Sequence, residues 1–162
     1  MSGKEVKTVG IFLLMLITGS CGSPSQREAA PEIQFLNSPE VEALGLPFSQ
    51  AVRVGSLLFL SGQLGNAPGT TELVPGGIAA ETKQALENIK AILERNGSSM
   101  DRVVKCAVFL ADIREWPEMN EVYRTYFRDD PPARSALAAT GLALGARVEI
   151  ECIAVVSEEE AP

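Results

Sequence analysis

The run from Ala79 to Asn96 constrains the architecture most. Thr82, Ala85, Leu86, Ile89, Ile92 and Leu93 recur at three- and four-residue spacing, while Lys83, Glu87, Lys90 and Glu94 fall on the other side. That period predicts an amphipathic helix with one buried stripe, and Gly97 closes it. A helix of this kind needs an apolar surface to lie on, and the flanking sequence offers strands. Val103 to Leu110 alternates, with Val104, Cys106, Val108 and Leu110 on one face. Arg147 to Val156 alternates too, with Val148, Ile150, Cys152 and Ala154 on one face and Arg147, Glu149 and Glu151 on the other. Cys106 reads as a packed thiol.

The remaining elements fit around these. Phe48 to Val54 and Ser56 to Ser61 predict a hairpin turning at Gly55, and the segment Gly65 to Gly77 holds too many breakers for a regular element. A second helix is expected from Pro117 to Phe127, burying Met119, Val122, Tyr123 and either Tyr126 or Phe127. Asp129-Asp130-Pro131-Pro132 ends it, Ala133 to Thr140 forms a strand, and Gly141 to Gly145 connects to the last strand. The order ββαβαββ implies an α+β domain, a mixed sheet with two helices on one face and an opposite face that needs cover. Oligomerisation provides such cover.

Composition narrows the chemistry. With 46% hydrophobic and 22% charged residues, the chain has the make-up of a folded domain. Its net charge of -7, from 14 basic and 21 acidic residues, repels a phosphate backbone, and no run of Lys and Arg offsets it. Nucleic acid is not an expected partner. There is no histidine, so Ser-His-Asp and Cys-His machinery are excluded and the commonest nitrogen ligand for zinc is missing. Cys21, Cys106 and Cys152 show no metal-site spacing and no disulfide framework. No structural metal is expected.

The N-terminal stretch reads as an address. Lys4 and Lys7 precede an apolar run from Val9 to Ile17, and Thr18, Gly19 and Ser20 lead into Cys21, the layout of a signal peptide over residues 1–20. The run is shorter than the ~20 residues of a membrane-spanning helix. Cys21 after Thr18-Gly19-Ser20 resembles a bacterial lipobox, in which the cysteine carries lipid. An ordinary secretory signal is the other reading. Residues 21–37 are expected to form a flexible tether, residues 38–157 the domain, and residues 158–162 an acidic tail. The chain is therefore expected to be secreted or periplasmic, anchored to the membrane if Cys21 is lipidated.

Three features stand out for a small domain: Arg134 within Pro132-Ala133-Arg134-Ser135, Ser61-Gly62-Gln63 at a strand end, and Glu149 with Glu151 among aliphatic residues. An arginine fork suits two-point capture of a carboxylate. On spacing alone, Arg134 also fits a surface ion pair, Ser61 the start of a turn, and the glutamates a solvated strand face.

Taken in order, the motifs resemble the Rid (RidA/YjgF) family. Leu46-Pro47-Phe48-Ser49-Gln50-Ala51-Val52 looks like its Gly-Pro-Tyr-Ser-Gln-Ala signature, and Leu60-Ser61-Gly62-Gln63-Leu64 like its Ser-Gly-Gln motif. Val103 to Leu110 is similar to its central strand and Met119-Asn120-Glu121-Val122-Tyr123 to its second helix. Pro132-Ala133-Arg134-Ser135 and Val148-Glu149-Ile150-Glu151 resemble its C-terminal signature. The resemblance runs from Ser38 to Val156. It implies a chorismate-mutase-like fold, a homotrimer with a cleft at each subunit interface, and cofactor-free hydrolysis of 2-imino and 2-enamino acids (2-iminopropanoate, 2-iminobutanoate) to 2-oxo acids and ammonia.

By motif position the resemblance implies that Arg134 binds the substrate carboxylate and Glu149 activates water, with Glu151 second for that role. Ser61, Asn120, Phe48 and Ala136 line the site. Phe48 replaces the family's tyrosine and Ala136 its cysteine. Against the deaminase stand two alternatives: a non-catalytic binding module for small carboxylates, and endoribonuclease activity, which suits an acidic chain poorly.

Overall fold

A computed structural model describes residues 30–156. The expected signal peptide, Cys21 and the acidic tail 158–162 lie outside the described residues. Seven strands and three helices follow in the order β1 (Ile33–Leu36), α1 (Pro39–Glu42), β2 (Ala51–Val54), β3 (Leu57–Leu60), β4 (Gln63–Leu64), α2 (Gly77–Arg95), β5 (Val103–Leu110), α3 (Trp116–Tyr126), β6 (Ala133–Ala138) and β7 (Val148–Val155). The strands form one sheet in the order β1-β2-β3-β7-β5-β6, and β4 pairs with β7 beyond the end of β3. All pairings are antiparallel except β5 with β6. That parallel step needs a crossover, which α3 supplies.

Alternation along β7 sorts the residues between two faces. Val148, Ile150, Cys152 and Ala154 are buried, and the helical stripe Ile78, Ala85, Leu86, Ile89, Ile92 and Leu93 joins them in one core with Met119, Tyr123 and Phe127 of the α3 segment. Helix α2 packs against α3, β7 and β4. Both helices cover this one face. On the other face Glu149, Glu151 and Ile153 of β7 stand beside Lys105, Ala107 and Phe109 of β5, and Leu57, Phe59 and Leu137 remain exposed.

Several sequence expectations require correction. Ile33–Leu36, expected within a tether, forms β1 and pairs with β2 from Ile33↔Val54 to Leu36↔Ala51. The side chains of Ile33 and Phe35 are exposed, so no buried stripe announces this edge strand. The hairpin strands are shorter than expected at their outer ends, and Gly55 turns it with φ +57°, a conformation that favours glycine. In β5, Val103 rather than Val104 enters the core, because a register shift between Val103 and Lys105 turns Val104 outward. Helix α3 begins at Trp116, one residue before the expected Pro117.

The cysteines differ most. Cys106 is no free thiol: it is bonded to Cys152, with Cα atoms 4.1 Å apart. The two residues face each other across the β5–β7 ladder on the core side. Directly opposed antiparallel residues are close enough for a disulfide when both are cysteine. Their sequence separation of 46 hides this from any local pattern.

Closing a chain segment of that length stabilises a fold by about 2–4 kcal/mol. A Cys106→Ala/Cys152→Ala variant should lose stability of that order in chemical denaturation. Non-reducing mass spectrometry of the parent chain should show a mass lower by two hydrogens than after reduction. An unchanged mass on reduction would contradict the bond.

Candidate functional site

Arg134 lies on β6 opposite Cys106, and Ala136 opposite Val108. Both therefore project toward the helix side of the sheet. The guanidinium carbon of Arg134 stands 4.5 Å above the centre of the Tyr123 ring, an aromatic face that attracts the cation while leaving its N–H fork free. Among the described residues Arg134 belongs to no ion pair, so the surface ion pair is not its role within the chain. Tyr123 is itself buried against Phe127, ring centres 4.7 Å apart, and burial pushes its hydroxyl up to about 12. The ring is a neutral platform.

Beside Arg134 opens a cavity of about 500 Å³ lined by Ile113, Arg114, Trp116, Pro117, Arg134 and Ala136. Asn120 is half-buried on α3, one turn before Tyr123. Arg114 does not add a free charge to this cavity in the way Arg134 does. Its Nε donates to both carboxylate oxygens of Asp112, at 3.0 and 2.9 Å, and that partner holds the Asp112 carboxyl down at about 2. Arg147 is likewise paired, with Glu115.

The other candidates gather elsewhere. Glu149 is on β7 opposite Phe109, on the face away from the helices. Ser61 donates its hydroxyl to the Ser49 carbonyl at 2.7 Å, which ties the Phe48-Ser49 segment to the end of β3. Phe48 is 53% exposed. Gly62 explains why the Ser61-Gly62-Gln63 motif needs its glycine: a Cβ there would overlap the Glu149 carboxylate. The carboxyl thus lies against backbone, and its pKa is raised, first by burial and then by the like charge of Glu151. Gly62, directly after Ser61 at the end of β3, is thus in contact with Glu149.

Within a single chain, then, the sequence-predicted residues fall into two groups on opposite faces. Arg134, Ala136 and Asn120 form one and Glu149 with Ser61 the other, while Phe48 is exposed on the segment before β2 that Ser61 ties down. Sequence reasoning missed Tyr123 as the seat of Arg134, although the helical period placed it in the core. It also missed Trp116, Ile113, Arg114 and Pro117 as cavity walls, because nothing in their spacing ties them to β6.

A mixed sheet covered on one face by two helices defines an α+β protein of the chorismate-mutase-like arrangement. The Endoribonuclease L-PSP family matches residues 38–156, and the chain belongs to this, the Rid (RidA/YjgF), family. A cattle protein named 2-iminobutanoate/2-iminopropanoate deaminase is 50% identical over 109 residues, covering 67% of this chain and 80% of its own. The crystal structure of the yeast protein YEO7 aligns with TM-score 0.70 and 39% identity over 78% of this chain and all of that one. E. coli TdcF with bound serine aligns with TM-score 0.65 and 36% identity, over 69% of this chain and 90% of that one.

The contact between Gly62 and Glu149 is directly testable. Gly62→Ala should destabilise the domain by roughly 1–3 kcal/mol through overpacking. In a Glu149→Ala background the same change should cost clearly less, a coupling readable in a double-mutant cycle. Additive costs would mean that the carboxylate does not lie on Gly62.

Proposed function

We propose that this chain hydrolyses 2-imino and 2-enamino acids to 2-oxo acids and ammonia, with Arg134 holding the substrate carboxylate and Glu149 activating water. The observation that carries the reading is Arg134 itself: a cation without a carboxylate partner among the described residues, seated on an aromatic ring and facing a cavity. The names of relatives near 50% identity agree with it. So does the amino acid bound to TdcF, since serine carries both a carboxylate and a nitrogen on the adjacent carbon.

In this reading the iminium carbon is fixed beside a water by the grip on the neighbouring carboxylate, which turns an encounter into a positioned reaction. Glu149 takes a proton from that water as its oxygen bonds to the carbon, giving a tetrahedral carbinolamine. The proton then passes from Glu149 to the nitrogen, the hydroxyl returns its own proton to the Glu149 carboxylate as the carbon–oxygen double bond forms and the carbon–nitrogen bond breaks, and ammonia leaves the 2-oxo acid. A carboxylate with a raised pKa is a better base for this than an ordinary one. Ser61 and Asn120 supply polar lining.

Because the two groups lie on opposite faces of one sheet, we assign Glu149 and Arg134 of a given site to different subunits of a homotrimer. Burying the exposed Leu57, Phe59 and Leu137 supports that assembly. The alternative, a binding module for small carboxylates without turnover, draws support from Phe48, which lacks the family's tyrosine hydroxyl. Endoribonuclease action remains opposed by the net charge of -7. Export to an oxidising compartment, with lipid on Cys21, is part of the same proposal and is supported by the disulfide.

Arg134→Ala and Glu149→Gln should each abolish enzyme-dependent ammonia release from 2-iminopropanoate. Mixing the two variants and allowing subunit exchange should restore part of it, since some interfaces then pair an intact Arg134 with an intact Glu149. No recovery from exchanged subunits would place both residues in one subunit's site. Calorimetric binding of 2-oxobutanoate without any turnover by the parent chain would establish the binding module instead.

The pH dependence has a definite sign. Activity needs ionised Glu149 and should rise with pH through a pKa above the ordinary 4.5. Glu151→Gln removes a like charge and should move this acid limb to lower pH. Since the fold disfavours the ionised form, the stability linked to this raised pKa is present at low pH and lost as pH rises through it. Glu149→Gln should therefore melt no lower than the parent at neutral pH.

A further inference from the structure

The cavity beside Arg134 is larger and more apolar than a methyl-bearing imino acid requires. The six non-hydrogen atoms of 2-iminopropanoate, at a water molecule's share of about 30 Å³ each, fill on the order of a third of the open recess of about 500 Å³ that one subunit presents. Ile113, Trp116, Pro117 and Ala136 supply the apolar wall. Within one chain Ile113 and Trp116 are 53% and 42% exposed, so both present apolar surface beside Arg134. Pro117, in the first turn of α3, fixes the backbone next to Trp116. The indole is thus held on a rigid element.

Ala136 is on the same face of β6 as Arg134, two residues along, roughly 6.6 Å away at the usual rise of a strand. A substrate whose carboxylate sits on Arg134 has room for its own side chain over the small Ala136 methyl, beside the apolar wall of the cavity. Nothing bulky on β6 fills that space.

We infer that this recess takes the substrate's side chain and selects aromatic 2-imino acids, and their 2-oxo products, over those bearing a methyl or ethyl group. The inference rests on Arg134 as the carboxylate anchor, as in the reading above. Trp116 and Ala136 act as specificity determinants: one offers a flat ring for stacking, the other space. The second cation on the wall, Arg114, is taken up by Asp112, so a second carboxylate on the substrate finds no free partner there.

Binding and turnover separate the two claims. Propanoate, 3-phenylpropanoate and glutarate are titrated calorimetrically into the full chain. The single tryptophan of the sequence gives a second, optical readout for the parent. We expect 3-phenylpropanoate to bind at least about tenfold tighter than propanoate and to perturb the Trp116 emission. Arg134→Ala should weaken both ligands, and Trp116→Ala should reduce the ratio between them at least severalfold, while Trp116→Phe largely keeps it. Melting curves of the variants verify folding.

Equal affinities, a ratio untouched by Trp116→Ala, or tighter binding of glutarate than of 3-phenylpropanoate would overturn the recess. In parallel, imines generated in situ from alanine and phenylalanine by an amino-acid oxidase are followed for hydrolysis. Hydrolysis of both with no preference for the aromatic imine overturns the inference and leaves the deaminase reading standing. Hydrolysis of neither above the rate in buffer, with the binding preference intact, overturns the deaminase reading alone.

Discussion

The pairing of β5 with β7 is the contact from which the rest of the domain is laid out. It is the longest ladder in the sheet, running from Val103↔Ala154 to Leu110↔Val148, and the Cys106–Cys152 bond closes it on the core side. Strand register admits no half-measures, because a slip of one residue sends every side chain to the other face. Slipped by one, β7 would bury Glu149 and Glu151 under α2 and expose Ile150 and Cys152. A covalent bond between opposed residues removes that alternative once formed, and the apolar stripe of α2 disfavours it before then.

Both groups of candidate residues inherit their positions from this ladder. On β7, alternation alone puts Glu149 on the face opposite the core, and Gly62 lets the carboxyl lie against the end of β3. On the other side, β5 templates β6 in parallel from Lys105↔Ala133 to Leu110↔Ala138. The crossover helix α3 must pass over the core face to make that parallel step, which sets Tyr123 under Arg134. The β5 register thus places Glu149 of β7 on one face and Arg134 of β6 on the other. In the proposed trimer, the two groups meet where one subunit's sheet face abuts its neighbour's helix side.

Much of this layout was legible in the sequence where burial is one-sided. The α2 stripe, the alternation of β7 and the bounds of β5 follow from periodicity, since one face of each element packs and the other does not. Periodicity is blind to what two distant segments share. It put Cys106 and Cys152 each on an apolar face without revealing that the two faces coincide at one rung. It passed over β1 because four residues, Ile33-Gln34-Phe35-Leu36, are too few for a period to stand out from the polar stretch before them. For the candidate site, ordered motifs picked out Arg134, Glu149, Ser61 and Asn120, but not the separation of Arg134 from Glu149. That depends on the parity of Cys106↔Arg134 against Phe109↔Glu149, which only the assembled register reveals.

The treatment of charge around the cavity shows how one arginine comes to stand apart from its neighbours. Arg114 lines the same cavity and is held by Asp112, and Arg147 is held by Glu115, next to the cavity residue Trp116. Pairing makes them supports for the chain leading into α3 and for the start of β7. Arg134 receives an aromatic ring instead. A ring stabilises a cation without competing for its N–H donors, whereas a carboxylate would occupy the fork that an anionic ligand must use. Substituting a carboxylate for the ring would give a more conventionally satisfied arginine and a poorer anion site. The choice of partner, rather than the presence of a positive charge, is what makes Arg134 available.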